Sequence, residues 1–336
     1  MKVFDIDGQQ YKLPHSLNKF QFSLYVHLIN WKWRYITKDA GTSGKLKYDA
    51  ILPDSYAGIY PMLYPSIINE FKQHHKKFPF RIHKYFNHMA SSQAANINLF
   101  LPVLMHPNTA TILTSINPDI KELARNELDN SYRIEFWDEP YGNLNDKTDV
   151  SGTDSDIAIA YYNEDDELCL WLIEHKLSEA EFTECGGYKS NGRKAYHDCT
   201  KSFSEILQNK SFCYYHDVKK FEYWNITEPN KSFFVNHEKH TECPFRKGMN
   251  QLWRNQLLGL SIENDIRQPY KKVHFSVVRH SDNSYLDKSI KQYEDLIGDN
   301  PKFSVFTSAD ILNAASQLND RRLNKWIKWY KQLYKI

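Results

Sequence analysis

The sequence predicts an α/β protein, on three observations. Strand-like segments rich in apolar and β-branched residues, SDIAIAYY, LCLWLIEHKL, KVHFSVVRH and KFSVFTS, recur through the second half of the chain. Segments with helical apolar spacing precede and separate the last two, the alternation expected of an α/β fold. The 336 residues are 41% hydrophobic and 25% charged, enough apolar material to bury a sheet beneath helices.

Taken in order, residues 1–84 read as a mostly helical N-terminal extension. It carries aromatic-rich segments such as FQFSLYVHLINWKWRYI, a Gly-Ser break at AGTSGK and the basic stretch HHKKFPFRIHK. The core is assigned to residues 85–336. MASSQAANINLFLPVLM is apolar enough for a buried helix, with Ser91 and Ser92 near its start. YRIEFW is strand-like, GNLNDKTDVSGT is loop, and SDIAIAYY and LCLWLIEHKL flank the polar turn NEDDE as a hairpin. Residues 183–245 lack periodicity and form a Cys-bearing insertion. NQLWRNQLLGLSIEN then returns to helix, KVHFSVVRH to strand, DKSIKQYEDLIG to helix and KFSVFTS to strand, and two helices close the chain.

Composition excludes little about partners. Net charge is only +2, so no polyanion partner is announced by bulk electrostatics. No apolar stretch approaches the roughly 20 residues of a membrane span, and MKVFDIDGQQYKLP lacks the basic end and apolar middle of a secretory signal. A cytoplasmic protein without a membrane partner is expected.

The hairpin concentrates charge where an apolar strand ends. With Asn163–Glu167 as the turn, Tyr162 faces Leu168 and Asp156 lies directly opposite Glu174. Directly opposed residues have Cβ atoms about 5 Å apart, and two carboxylates that close repel unless a cation neutralises them. A divalent metal is the natural cation. Lys176 lies one step further on the same face, opposed by Asp154, while His175 points outward and has no proton-transfer role.

This arrangement resembles the active site of the PD-(D/E)XK nuclease superfamily, restriction-endonuclease-like branch. Its signature is an acidic residue at the start of one core strand and Glu-x-Lys on the next, matched here by Asp156, Glu174 and Lys176. The resemblance implies a mixed central sheet flanked by helices. It also implies Mg²⁺ held by Asp156, Glu174 and the main-chain carbonyl of His175, with Lys176 orienting the attacking water. SSQAANINLF is similar to the helix before the catalytic hairpin. NQLWRNQLL is similar to the helix after it, where RecB-type nucleases carry a glutamine, here Gln251; the tyrosine expected four residues on is Asn255. Roughly residues 85–310 are covered. Glu-x-Lys alone is unspecific, since Glu70 and Lys72 repeat it; only the copy at 174 ends an apolar strand facing an acidic residue. The implied function is Mg²⁺-dependent DNA endonuclease, as a restriction or defence enzyme. The alternatives are a recombination or repair exonuclease and a nuclease-fold module that binds nucleic acid without cutting it. A homodimer is left open.

Four of the five cysteines, Cys185, Cys199, Cys213 and Cys243, lie in the insertion, while Cys169 reads as core. Thiolates suit zinc or an iron–sulfur cluster, and buried unligated thiols are the alternative, since no Cys-x-x-Cys pair is present. His237 or His240 could replace one thiol. Arg246, Lys247 and Arg254 read as phosphate contacts or as a solvated helix face. Lys76, Lys77, Arg81 and Lys84, and Arg321, Arg322, Lys325 and Lys328 of the last helix, are further candidates for backbone contacts. Trp326, Trp329 and Tyr330 are expected to pack that helix onto the domain.

Overall fold

A computed structural model describes residues 2–148, 152–189, 197 and 199–336. The N-terminal extension begins with the hairpin of β1 (Lys2–Ile6) and β2 (Gln9–Leu13), followed by helix α1 (Lys19–Tyr35). A second short hairpin joins β3 (Gly41–Ser43) and β4 (Leu46–Tyr48), and α2 (Ile68–Lys77) ends the extension. The extension is less helical than expected: Leu24, Leu28 and Ile29 of α1 and Phe71 of α2 are buried, and so are Tyr11 and Leu13 of β2 and Leu52, Met62 and Leu63 between β4 and α2.

The core opens with α3 (Ser92–Leu104), capped by Ser91 Oγ accepting from the Ala94 amide, and the short α4 (Thr109–Thr114). Strands β5 (Glu122–Leu123), β6 (Tyr132–Phe136), β7 (Ser155–Tyr162) and β8 (Leu168–Lys176) follow. The insertion holds only short helical turns, α5 (Gly186–Lys189), α6 (Phe203–Gln208), α7 (Tyr214–Asp217) and α8 (Tyr223–Thr227), among its described residues. Then come α9 (Met249–Asn264), β9 (Lys272–Arg279), α10 (Asp287–Ile297), β10 (Phe303–Thr307), α11 (Ser308–Ser316) and α12 (Arg321–Tyr334).

One six-stranded sheet organises these elements in the order β10-β9-β8-β7-β5, with β6 also paired to β7. β7 is antiparallel to β5, β6 and β8, whereas β8, β9 and β10 run parallel. The two parallel joints need crossovers, supplied by the insertion with α9 and by α10. This is the mixed, helix-flanked sheet expected from the sequence.

Both faces of the sheet are covered, which is why β8 reads as a nearly continuous apolar run. Ile157, Ile159, Trp171 and Ile173 pack under α3, α11 and α12, in a core that also takes in Leu24 and Leu28 of α1 and Phe71 of α2. Ala158, Ala160, Leu170, Leu172, Phe275 and Val277 face α9, α10 and the insertion's aromatic residues. Gly259 lets α9 lie close on the sheet, since a Cβ there would meet Val273 Cγ1 at 3.1 Å. Trp326 and Tyr330 are buried and Trp329 packs edge-on against Trp31, so the last helix is held by its aromatics as expected. Among the described residues no helix is long and apolar enough to cross a membrane.

Candidate active site

The hairpin register runs from Tyr162 opposite Leu168 to Ile157 opposite Ile173, and Asp156 and Glu174 are the residues next beyond that last pair. Ser155 Oγ pins this end, accepting from the Ile173 amide at 2.8 Å and donating to its carbonyl at 2.9 Å. Beyond that clamp the strands part, and the His175 amide donates to Asp156 Oδ2 at 2.6 Å. The N–H and C=O of one strand residue face the same neighbour, so the His175 carbonyl is directed to the Asp156 side as well.

Glu174 and Lys176 continue the face that carries Leu170 and Leu172. Where the cover of α9 is apolar the strand is leucine; where α9 begins, its cover is amide. Gln251 Nε2 donates to Glu174 Oε1 at 2.7 Å, and Asn255 Nδ2 donates to Glu174 Oε2 at 2.8 Å. Four residues apart, the two amides share one helix face. The Thr183 amide in turn holds Gln251 Oε1 at 3.1 Å. Lys176 Nζ donates to Glu174 Oε1 at 2.7 Å, a buried ion pair. Burial alone would lower the Lys176 ammonium, but Glu174, Glu179 and Asp156 outweigh it and hold the pKa above its ordinary value.

A third carboxylate joins them that sequence reasoning missed. Ile134 opposite Ile157 and Phe136 opposite Ser155 bracket Glu135 of β6, so Glu135 and Glu174 flank Asp156 from its two neighbouring strands. Glu135 has a left-handed backbone, φ +52°, and accepts from Gln93 Nε2 at 2.7 Å. Burial first, then the charges of Asp154 and Glu174, push its carboxyl up to about 8 despite Gln93 and Lys147. Burial, Glu174 and Glu135 likewise push Asp156 well above the carboxylate range, against Lys176 and the His175 amide. The only sequence signal was an acidic residue inside YRIEFW, on a strand whose partner no local pattern names.

Helix α3 supports this row at its N-terminal end. Gln93 also accepts from the His83 amide at 2.9 Å, and the buried Asn96 donates to the Asp156 carbonyl at 3.0 Å. Glu135, Asp156 and Lys176 line one side of a cavity of about 1110 Å³ whose other wall is the N-terminal extension, including Ser43, Tyr48, Arg81 and His83. Gln21, from the first turn of α1, donates to the Ser178 carbonyl just past β8 at 2.8 Å and ties the extension to the strand end.

Several expectations are corrected. His175 is buried rather than outward-facing, because the sheet is covered on both faces. Both its ring nitrogens are buried without a hydrogen-bond partner among the described residues, and burial with Lys176 nearby pushes its pKa down to about 3. Asp154 does not meet Lys176; it pairs with Lys147 at 3.0 Å. Arg254 turns its charge toward Tyr223 and Asp146, and Arg246 is paired with Glu242, so neither is presented to a phosphate. Lys77 is engaged by Asp129 at 2.6 Å, while Arg81 and His83 of the same basic stretch line the cavity.

Cys169 is buried in the core. Cys185, Cys199, Cys213 and Cys243 line a separate small cavity within the insertion. Among the described residues, no group of three His, Cys, Asp or Glu side chains stands ready to hold a metal ion. The donor set at the row is accordingly the carboxylates of Asp156 and Glu174 with a main-chain carbonyl.

Residues 36–335 match the family described as Restriction Endonuclease associating with ARP. The match takes in the latter half of the extension as well as the core. No curated protein and no solved structure matches the chain.

Proposed function

Because the chain belongs to the family Restriction Endonuclease associating with ARP, and so is a nuclease of restriction-endonuclease type, we propose that it is a Mg²⁺-dependent DNA endonuclease with a PD-(D/E)XK active site. The supporting observation is the juxtaposition of Asp156 and Glu174 on neighbouring strands, with Lys176 paired to Glu174 two residues on. A structural salt bridge at a strand end would be exposed; this pair is buried, and further carboxylates lie beside it.

The residues fit a hard divalent cation. Their donors are carboxylate oxygens and a carbonyl, the ligands Mg²⁺ prefers, and the raised pKa of Asp156 marks a cluster that repels itself until positive charge enters. Asp156, Glu174 and the His175 carbonyl would hold the ion. When bound, it polarises the scissile phosphate and makes water more acidic. Lys176 aims its ammonium at the attacking water and at the charge that develops on the phosphoryl oxygens. Gln251 and Asn255 fix both oxygens of Glu174, while Asn96 and the His175 amide fix Asp156. DNA would enter along the cavity, with Arg81 on the opposite wall contacting the backbone.

The defence role, and action together with ARP, are carried over from the family's description and belong to the same proposal. The test is incubation of the protein with circular and with linear DNA, in Mg²⁺ and in EDTA. Cutting of closed circles in Mg²⁺ alone is expected. Trimming of linear ends only would replace the endonuclease by an exonuclease, and binding without cutting in any divalent metal would overturn the enzyme.

A further inference from the structure

We propose that Cys185, Cys199, Cys213 and Cys243 form a thiolate metal centre that braces the helix holding Glu174. The first part stands on the cysteines alone; the second rests on the active-site reading above.

The four residues are far apart in sequence, yet they line a single cavity of about 20 Å³, and none of them is in a disulfide. The rest of the lining is largely apolar and aromatic, including Ile206, Phe212, Trp224 and Phe245. A space of that size admits about one small occupant, and an apolar wall gives water few partners. Four thiols gathered in a dry site have no packing advantage over alanine or valine. Gathered around a soft cation they have a function, because thiolates are its preferred ligands.

The surrounding chain needs such a centre. The described part of the insertion has α-helices of only four to six residues and single 3₁₀ turns, elements too short to be stable by themselves. Ligation supplies folding free energy where regular structure does not. Among the described residues no three of these donors already close on a point. Loading therefore draws the thiols inward by side-chain rotation around one four-coordinate zinc, the single small occupant that the space admits. Binding of Zn²⁺ by four thiols releases four protons and leaves a centre of charge −2.

The cavity also reaches the active site through one helix. Asn250 and Trp253 of α9 line it, and Phe245 stacks flat on Trp253 with centroids 4.1 Å apart. Gln251 and Asn255, the residues that grip Glu174, alternate with these two along the first turns of α9. A filled cavity fixes that end of the helix, and an empty one loosens it.

The test is elemental analysis of untagged full-length protein purified without oxygen, together with its visible spectrum. About one zinc per chain without colour is expected; iron with acid-labile sulfide and broad visible absorption would still establish a thiolate centre, in a cavity wider than this one. Protein with neither metal and five titratable thiols, or with a disulfide among the four, overturns the proposal. Cys213→Ser and Cys243→Ser should lose the metal, while Cys169→Ser, outside the cavity, should keep it. If those variants do not fold, titrating the wild-type protein with a mercurial should release the metal as four thiols react; release unconnected to thiol loss counts against the centre. Glu174→Gln should retain the metal in full, so failure of the active-site reading leaves this result standing. Metal-depleted protein that remains folded should need more Mg²⁺ for cleavage, and an unchanged Mg²⁺ requirement would remove the bracing role alone.

Discussion

Asn255 donates its side-chain amide to Oε2 of Glu174 at 2.8 Å, one helical turn beyond Gln251, which holds Oε1. The amide thereby holds the carboxylate oxygen that Lys176 does not touch. Asn255→Ala leaves that buried oxygen without its donor, which costs about 1–3 kcal/mol. Lower stability in urea and a higher Mg²⁺ requirement for cleavage are expected. Asn255→Asp should be worse, since it adds a fourth carboxylate; a mild Asn255→Asp would contradict the metal-site geometry.

Glu135 gives the protein a pH signature. Its carboxyl titrates near 8 when folded and near 4.5 when unfolded, so between these values the folded chain binds more protons than the unfolded one. Stability then falls as pH rises through that window and levels off above it, and Asp156 adds a contribution of the same sign. Thermal unfolding in EDTA should show a declining Tm from pH 5 to 8, flattened in Glu135→Gln. Mg²⁺ should flatten it too, because the cation replaces the proton. A Tm that climbs across this range in wild type would show that the carboxylates are not crowded as described.

How much of this was legible in the sequence follows the range of the contacts. The turn Asn163–Glu167 is local, so counting outward from it predicts the pairs from Tyr162–Leu168 to Ile157–Ile173 that are observed, with Asp156 and Glu174 next beyond the last of them. Gln251 and Asn255 could be named as a helical pair, but that both reach Glu174 depends on how α9 lies over β8. Glu135 was hidden because its neighbour belongs to a strand some twenty residues away and its left-handed φ breaks the alternation of YRIEFW. The outward reading of His175 failed for a general reason. A strand end looks exposed in sequence, and the helices that cover its second face come from α3 and from the chain's last segment.

The extension should act as part of the DNA-binding cleft. Arg81 sits on its wall, across the cavity from the carboxylate row. Arg81→Ala should weaken DNA binding alike for all sequences and lower the slope of log K against log salt by about one. Cleavage at saturating DNA should be little changed. An affinity and salt slope equal to wild type would exclude this arginine from the interface.

Lys176 is the residue on which the active-site reading turns. Its ammonium is buried against Glu174, so Lys176→Ala strands a carboxylate and should cost about 3–5 kcal/mol of stability in the absence of metal. Lys176→Gln keeps a donor near Glu174 Oε1 and should fold better. Both should bind DNA within a few-fold of wild type, because the ammonium acts on the transition state more than on the bound substrate. Both should cut at least ~10²-fold more slowly, the size of effect seen when one stabilising donor is removed from a reacting centre. The comparison is single-turnover cleavage in Mg²⁺ beside equilibrium binding in Ca²⁺. Loss of stability with cleavage intact would reduce the pair to a structural salt bridge; loss of cleavage in the well-folded Lys176→Gln, with binding kept, assigns Lys176 to the chemistry.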